Sequence, residues 1–139
     1  RELSFPCRRQ RQMWIGDRME KLDIEFIDLG VDFLTAKMPV GPKVHQPYGQ
    51  LHGGATAALA ESVGSAASNF FIDNEHQFIN GIQLSINHIK SMREGVVFAT
   101  AKNIHKGRST HLWEVIITDE DQQLIAIAKM TNIVLEKRK

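Results

Sequence analysis

Residues 53–72 read GGATAALAESVGSAASNFFI, a stretch dominated by Ala, Gly and Ser with no Pro. Its length suits a helix of about five turns. A helix that is apolar almost all the way round has to be covered on most sides. It does not suit lipid, because Glu61 stands in its middle, where a charge is expensive. The pattern predicts a helix sheathed in protein, running from Gly53 to about Ile72.

On the N-terminal side, residues 41–52 (GPKVHQPYGQLH) contain two Pro and two Gly and form a loop. Before it, residues 21–29 alternate Leu22, Ile24 and Phe26 with Asp23 and Glu25, as a half-buried strand does. Gly30 turns the chain, and Val31 to Val40 is the returning strand, stopped by Pro39. Residues 8–20 suit a short irregular helix anchored by Met13, Trp14 and Met19.

On the C-terminal side the period of the apolar residues changes to two. Ile82, Leu84 and Ile86 alternate with polar residues, Glu94–Gly95 turns the chain, and Val96 to Ile104 follows. Leu112 to Thr118 and Leu124 to Leu135 complete the set, which predicts a four-strand antiparallel meander. One buried helix and one antiparallel sheet of five or six strands fit together most simply when the sheet wraps the helix, an α+β arrangement. The 139 residues form a single domain, 1–139, with residues 1–20 as an N-terminal extension.

Composition narrows the function. Seventeen Lys and Arg against sixteen Asp and Glu leave a formal charge of +1, without the basic footprint of a nucleic-acid binder. The basic stretches Arg8–Arg11 and Lys137–Lys139 read as solvated ends. The single Cys7 excludes an internal disulfide and a thiolate zinc cluster. No apolar run near the start resembles a secretory signal, so a cytoplasmic location away from membranes is expected. The sequence opens on Arg1 rather than Met, which leaves its natural start open. The six histidines show no helical metal pair, and nucleophile-elbow, zinc-protease, dinucleotide and phosphate-loop motifs are absent. No metal is expected.

Glu61 is the one formal charge placed among Ala57, Ala58, Gly64 and Ser65, so no polar stripe accounts for it. Such a carboxylate needs water, hydrogen bonds or a partner to offset desolvation. Just upstream, Gln50-Leu51-His52-Gly53-Gly54 leads into the helix start. Glycines there let a ligand approach free backbone N–H groups at the positive end of the helix, where a polarised carbonyl is favoured.

These residues, Gln46-Pro47-Tyr48-Gly49-x-Leu51-His52-Gly53-Gly54 and Ala57-Ala58-x-Ala60-Glu61-Ser62-x-Gly64-Ser65, resemble the hotdog-fold acyl-CoA thioesterases. The similarity is to the branch with a catalytic Glu on the central helix. That branch includes 4-hydroxybenzoyl-CoA, phenylacetate-pathway and 1,4-dihydroxy-2-naphthoyl-CoA thioesterases. It extends through Gly81, Ile86-Asn87-His88, Arg93-Glu94-Gly95 and Gly107 to Trp113, covering roughly residues 20–135. The resemblance implies Glu61 as nucleophile or general base and the Gly53 N–H, assisted by His52, as the group polarising the thioester carbonyl. It implies Gln46 as a substrate clamp and Ser65 as an orienting hydroxyl. Gly81, His88, Lys90, Arg108, Ser109 and Thr110 fall where the family contacts its substrate and the coenzyme A arm. No cofactor is implied, since coenzyme A is part of the substrate. Two departures stand out: Gln83, where several relatives have Glu, and the Lys106–Leu112 loop.

Gly53 and Glu61 are eight residues apart, ~12 Å along a helix, too far for both to reach one carbonyl. Two antiparallel helices related by a two-fold axis bring Gly53 of one copy to Glu61 of the other. A homodimer is therefore expected, and the family resemblance implies pairing of dimers. The expected activity is hydrolysis of an aromatic or medium acyl-CoA thioester. A hotdog module that binds acyl-CoA without turnover is the alternative. A hydratase ranks last, because the loop holds His45 and His52 but no Asp. Phe70, Phe71 and Phe78, with Met13 and Trp14, either wall an aromatic pocket or serve as ordinary core or dimer interface.

Overall fold

The computed structural model describes residues 21–138. Six strands and one long helix follow in the order β1 (Glu25–Leu29), β2 (Phe33–Val40), α1 (Gly53–Asn69), β3 (Gln77–His88), β4 (Gly95–Lys106), β5 (Thr110–Thr118) and β6 (Leu124–Glu136). A single 3-10 turn, Pro42–Val44, precedes the helix. All six strands form one antiparallel sheet in the order β1-β2-β4-β5-β6-β3, and α1 packs against one face of it, touching β2 to β6. The hotdog architecture expected from the sequence is what the chain adopts. Met13, Trp14, Cys7 and the expected helix over 8–20 lie outside the described residues.

The helix sits close to the sheet because the facing side chains are small. Ala36, Ala99, Ala101 and Ala128 are buried on the inner face, opposite Leu59, Ala60, Val63, Ala66 and Ala67 of α1. At Gly64 an added Cβ would come within 2.7 Å of the Met130 sulfur on β6. No described helix is long and apolar enough to cross a membrane.

Three expectations need correction. The strands after the helix are not a four-strand meander: β4, β5 and β6 are consecutive neighbours, but β3 pairs with β6 at the sheet edge and β2 pairs with β4. Period-two alternation marks strands without saying which neighbour each takes. Pro39 does not stop β2, which runs on to Val40 with Pro39 opposite Val96. The pairing of β1 ends at Lys37, so Pro39 lies where one side of β2 is already an edge and a missing N–H is harmless. Finally, Ile82 does not join Leu84 and Ile86 on the core. The register of β3 against β6 shifts between Gly81 and Gln83, so Ile82 is the extra residue of a bulge and is 57% exposed.

Candidate active site

The loop before α1 is held from outside. His45 Nε2 donates to the Arg93 carbonyl at 2.6 Å, Leu51 N–H to Met92 O at 2.7 Å and His52 N–H to Val44 O at 2.7 Å. Within it, the Gln46 side-chain carbonyl accepts the Tyr48 and Gln50 N–H groups. That use of the oxygen leaves the Gln46 NH2 as the group presented to a ligand.

At the helix start the donors are nearly all taken. His52 caps α1, with its Nδ1 accepting Gly54 N–H at 2.8 Å, and its carbonyl accepts the N–H groups of Ala55 and Thr56 at 3.0 and 3.2 Å. An accepting Nδ1 carries no proton, so the neutral ring holds its proton on Nε2. Among the described residues, only the Gly53 N–H of this first turn has no acceptor. It opens into a cleft of about 270 Å³ lined by Gln46, Gln50, Thr56, His88 and Lys90. The His88 ring lies over Gly53, where a Cβ would be 3.1 Å from Nε2. Lys90 Nζ, at the rim, donates to the Gln123 side chain.

Glu61 lies two turns further along and lines a second cleft of about 230 Å³, with Gly81, Ile82, Gln83, Leu84 and Met130. In the single chain Glu61 is exposed, and no described residue pairs with it. The uncovered stripe of α1 holds Gly54, Ala57, Ala58, Glu61 and Ser65, directly beside the bulged edge strand β3. Ser65 is half-buried one turn beyond Glu61.

Below this stripe is a buried polar hub not anticipated from sequence. Ser68 Oγ accepts the Trp113 indole N–H at 2.7 Å and an Asn132 amide N–H at 2.7 Å, and lies 3.0 Å from His111 Nδ1. A hydroxyl has two lone pairs and one proton. Both lone pairs are occupied, so the Ser68 proton goes to Nδ1 and His111 is neutral. Burial, with Lys106 and His105 nearby, holds the His111 pKa below its ordinary value. The available signal was a lone Asn within the apolar run of β6.

The structure thus brings Gln46, Gly53, His88 and Lys90 together, and Glu61 with Gly81. Arg108, Ser109 and Thr110 join neither group in one chain. They turn between β4 and β5 beside Ile133, Val134 and the last turn of α1, the opposite end of the helix from Gly53. Asp73, Glu75 and His76, also unanticipated, form an exposed group of possible metal ligands after the helix. His76 Nδ1 is paired with Asp73 at 2.6 Å, and that bond with the Glu75 N–H holds the Asp73 pKa down.

Residues 48–126, from the glycine loop through Glu61 to the start of β6, match the family model described as Thioesterase superfamily. The chain belongs to that superfamily. It is 38% identical over 120 residues to the 1,4-dihydroxy-2-naphthoyl-CoA hydrolase of Escherichia coli, covering 86% of this chain and 88% of that one. It is 37% identical over 121 residues to the proofreading thioesterase EntH of Cronobacter turicensis, covering 87% and 88%. A crystal structure of a mutant thioesterase PA1618 from Pseudomonas aeruginosa superposes with a TM-score of 0.91 at 34% identity, over 98% of each chain. Thioesterase HI1161 from Haemophilus influenzae gives 0.88 at 32% identity, over 96% of this chain and 93% of that one. The present thioesterase is accordingly a thioester hydrolase of the hotdog fold.

Proposed function

We propose that this thioesterase hydrolyses an aromatic or medium acyl-CoA thioester, at a centre built from two copies of the chain. The observation that carries the proposal is the free Gly53 N–H and the unpaired Glu61 carboxylate, eight residues apart on one helix and each lining its own cleft. A separation of ~12 Å denies them a common carbonyl within one chain. A two-fold axis beside β3 sets the α1 helices antiparallel, so that Gly53 of one copy meets Glu61 of the other. The position of β3 at the outer edge of the sheet, with Phe78 38% and Ile82 57% exposed, supports this placement, since an uncovered edge strand with apolar residues invites a partner. The same operation carries Arg108, Ser109 and Thr110 of one copy toward His88 and Lys90 of the other, where a nucleotide arm takes cationic and hydroxyl partners. Further pairing of dimers is part of the same expectation.

In the reaction, Gly53 N–H and the Gln46 amide hold and polarise the thioester carbonyl, with His52 fixing the helix start. Glu61, oriented by Ser65, takes a proton from water as the water oxygen adds to the carbonyl carbon. The C–S bond then breaks, the thiolate of coenzyme A recovers that proton, and the acid is released. In the nucleophilic variant, the Glu61 carboxylate adds to the carbonyl and expels the thiolate of coenzyme A to give a mixed anhydride. Water then hydrolyses the anhydride, returning the Glu61 carboxylate and supplying the proton the thiolate takes up. Neither route calls for a metal or redox cofactor. The single Cys7 and a coenzyme A substrate favour the cytoplasm as the place of action.

The test is release of free coenzyme A from benzoyl-CoA and octanoyl-CoA by wild type and Glu61→Gln, with sedimentation in parallel. Loss of at least a hundredfold in kcat by a folded Glu61→Gln dimer is expected. A folded Glu61→Gln protein with wild-type turnover, or a monomeric active wild type, would overturn the proposal.

A further inference from the structure

Asn132 is fully buried on β6, and its two amide hydrogens are accounted for: one goes to the Gly64 carbonyl at 3.1 Å, the other to Ser68 Oγ at 2.7 Å. These two acceptors set the orientation of the amide, because the opposite flip would face its oxygen toward the Gly64 carbonyl. Its oxygen Oδ1 then has no partner among the described residues. It is aimed at the notch left by Gly81 in the bulge of β3. A Cβ on Gly81 would lie 3.6 Å from Asn132 Oδ1 and 3.7 Å from Glu61 Oε1, so a buried acceptor and the carboxylate flank one point. The third neighbour of that point is the Met130 methyl at 2.8 Å, the far end of a flexible side chain.

Two acceptors facing a common point are satisfied together by a molecule with two O–H donors, and water is the smallest. We infer that Asn132 is a positioning residue of the Glu61 centre: with Glu61 it holds one water in the Gly81 notch, the Met130 methyl giving way. This rests on the proposed role of Glu61 and deepens it, because a water prepositioned on the carboxylate is what the general-base route uses.

Asn132 is also dispensable for the hub. Without it, Gly64 O keeps its place in the helix ladder, and Ser68 Oγ still accepts from Trp113 and donates to His111. An apolar replacement removes an orphaned carbonyl and strands no other group. The orphaned carbonyl of Asn132 thus costs stability without serving the hub, as polar groups at functional sites in cores often do.

The decisive experiment combines Asn132→Leu and Gly81→Ala with a high-resolution crystal structure of the wild-type protein. The wild type is expected to show a water within hydrogen-bond distance of both Asn132 Oδ1 and the Glu61 carboxylate. Asn132→Leu is expected to melt at or above the wild-type temperature, to keep KM within about twofold and to lose about tenfold or more in kcat, roughly one hydrogen bond in the transition state. Gly81→Ala, which leaves every hub bond intact, is expected to lose the water and a similar factor in kcat. Absence of the water from the wild type, or a wild-type kcat in either folded variant, overturns the inference. Should Glu61→Gln keep full activity while the water is present, the proposed function fails and the water site stands, so the two failures are told apart.

Discussion

His52 Nδ1 takes the N–H of Gly54 at 2.8 Å, and by doing so it leaves the N–H of Gly53, one residue earlier, as the unengaged donor at the tip of α1. The imidazole thus caps the helix beside the cleft that Gly53 lines together with Gln46 and His88.

Replacing His52 by Ala removes that cap. A loss of about 1 kcal/mol in unfolding free energy is expected, read by urea denaturation, together with a larger loss in kcat/KM for acyl-CoA. His52→Asn, whose carbonyl can accept the same N–H, is expected to recover most of the stability. Equal stability in wild type and His52→Ala would show that the cap contributes nothing.

Gly53→Ala sets a methyl 3.1 Å from His88 Nε2, tighter than ordinary contact, at the point where the proposed mechanism brings the thioester carbonyl. Hydrolysis is expected to fall by at least tenfold, since even small misplacement of reacting groups is costly, while the melting temperature holds or rises because Ala is the better helix former. A Gly53→Ala protein with unchanged kcat/KM contradicts the role given to this amide.

Two inactive variants should complement each other. Co-expressed in equal amounts, Glu61→Gln and Gly53→Val chains assort so that half the dimers are mixed, and each mixed dimer has one intact composite centre. Activity of about a quarter of wild type is expected from this symmetry, measured on the purified mixture. No activity above the sum of the two parents excludes a shared centre.

His111 makes stability depend on acid. Its pKa in the folded chain lies below the unfolded value of 6.5, because burial and the nearby Lys106 and His105 disfavour the cation. The unfolded chain then binds the proton first. The stabilisation is complete above about pH 6.5 and is lost progressively as pH falls through the folded value. Melting temperatures should decline from pH 7 to 5, and His111→Asn, which keeps an acceptor for Ser68, should flatten that decline. An identical slope in both proteins would remove His111 from the account.

Ser68→Ala would strand the Trp113 indole N–H and one Asn132 N–H, both buried, and free His111 Nδ1. A destabilisation of about 3 kcal/mol is expected from those unmet groups, measured by denaturant titration. A change below about 1 kcal/mol would mean that the hub is satisfied in some other way.

Much of this protein was legible in its residues. The Ala-, Gly- and Ser-rich composition of 53–69 pointed to a helix that a wrapped sheet covers most simply, and a solitary Glu61 among small neighbours marked the place to look for chemistry. The glycine pair after His52 marked the helix tip, because backbone propensity and capping act within a few residues. Eight residues of α-helix have a known rise, so the expectation of a second copy rests on spacing alone. What lay beyond reach were relations between distant segments. Alternation in β3 and β6 does not say that they pair, nor that β3 carries a bulge turning Ile82 outward and leaving a notch at Gly81. Nor does it bring Asn132, Ser68, His111 and Trp113 to one point. Those contacts join residues more than forty positions apart, and strand order and register arise from packing the whole sheet around one helix, which no local pattern encodes.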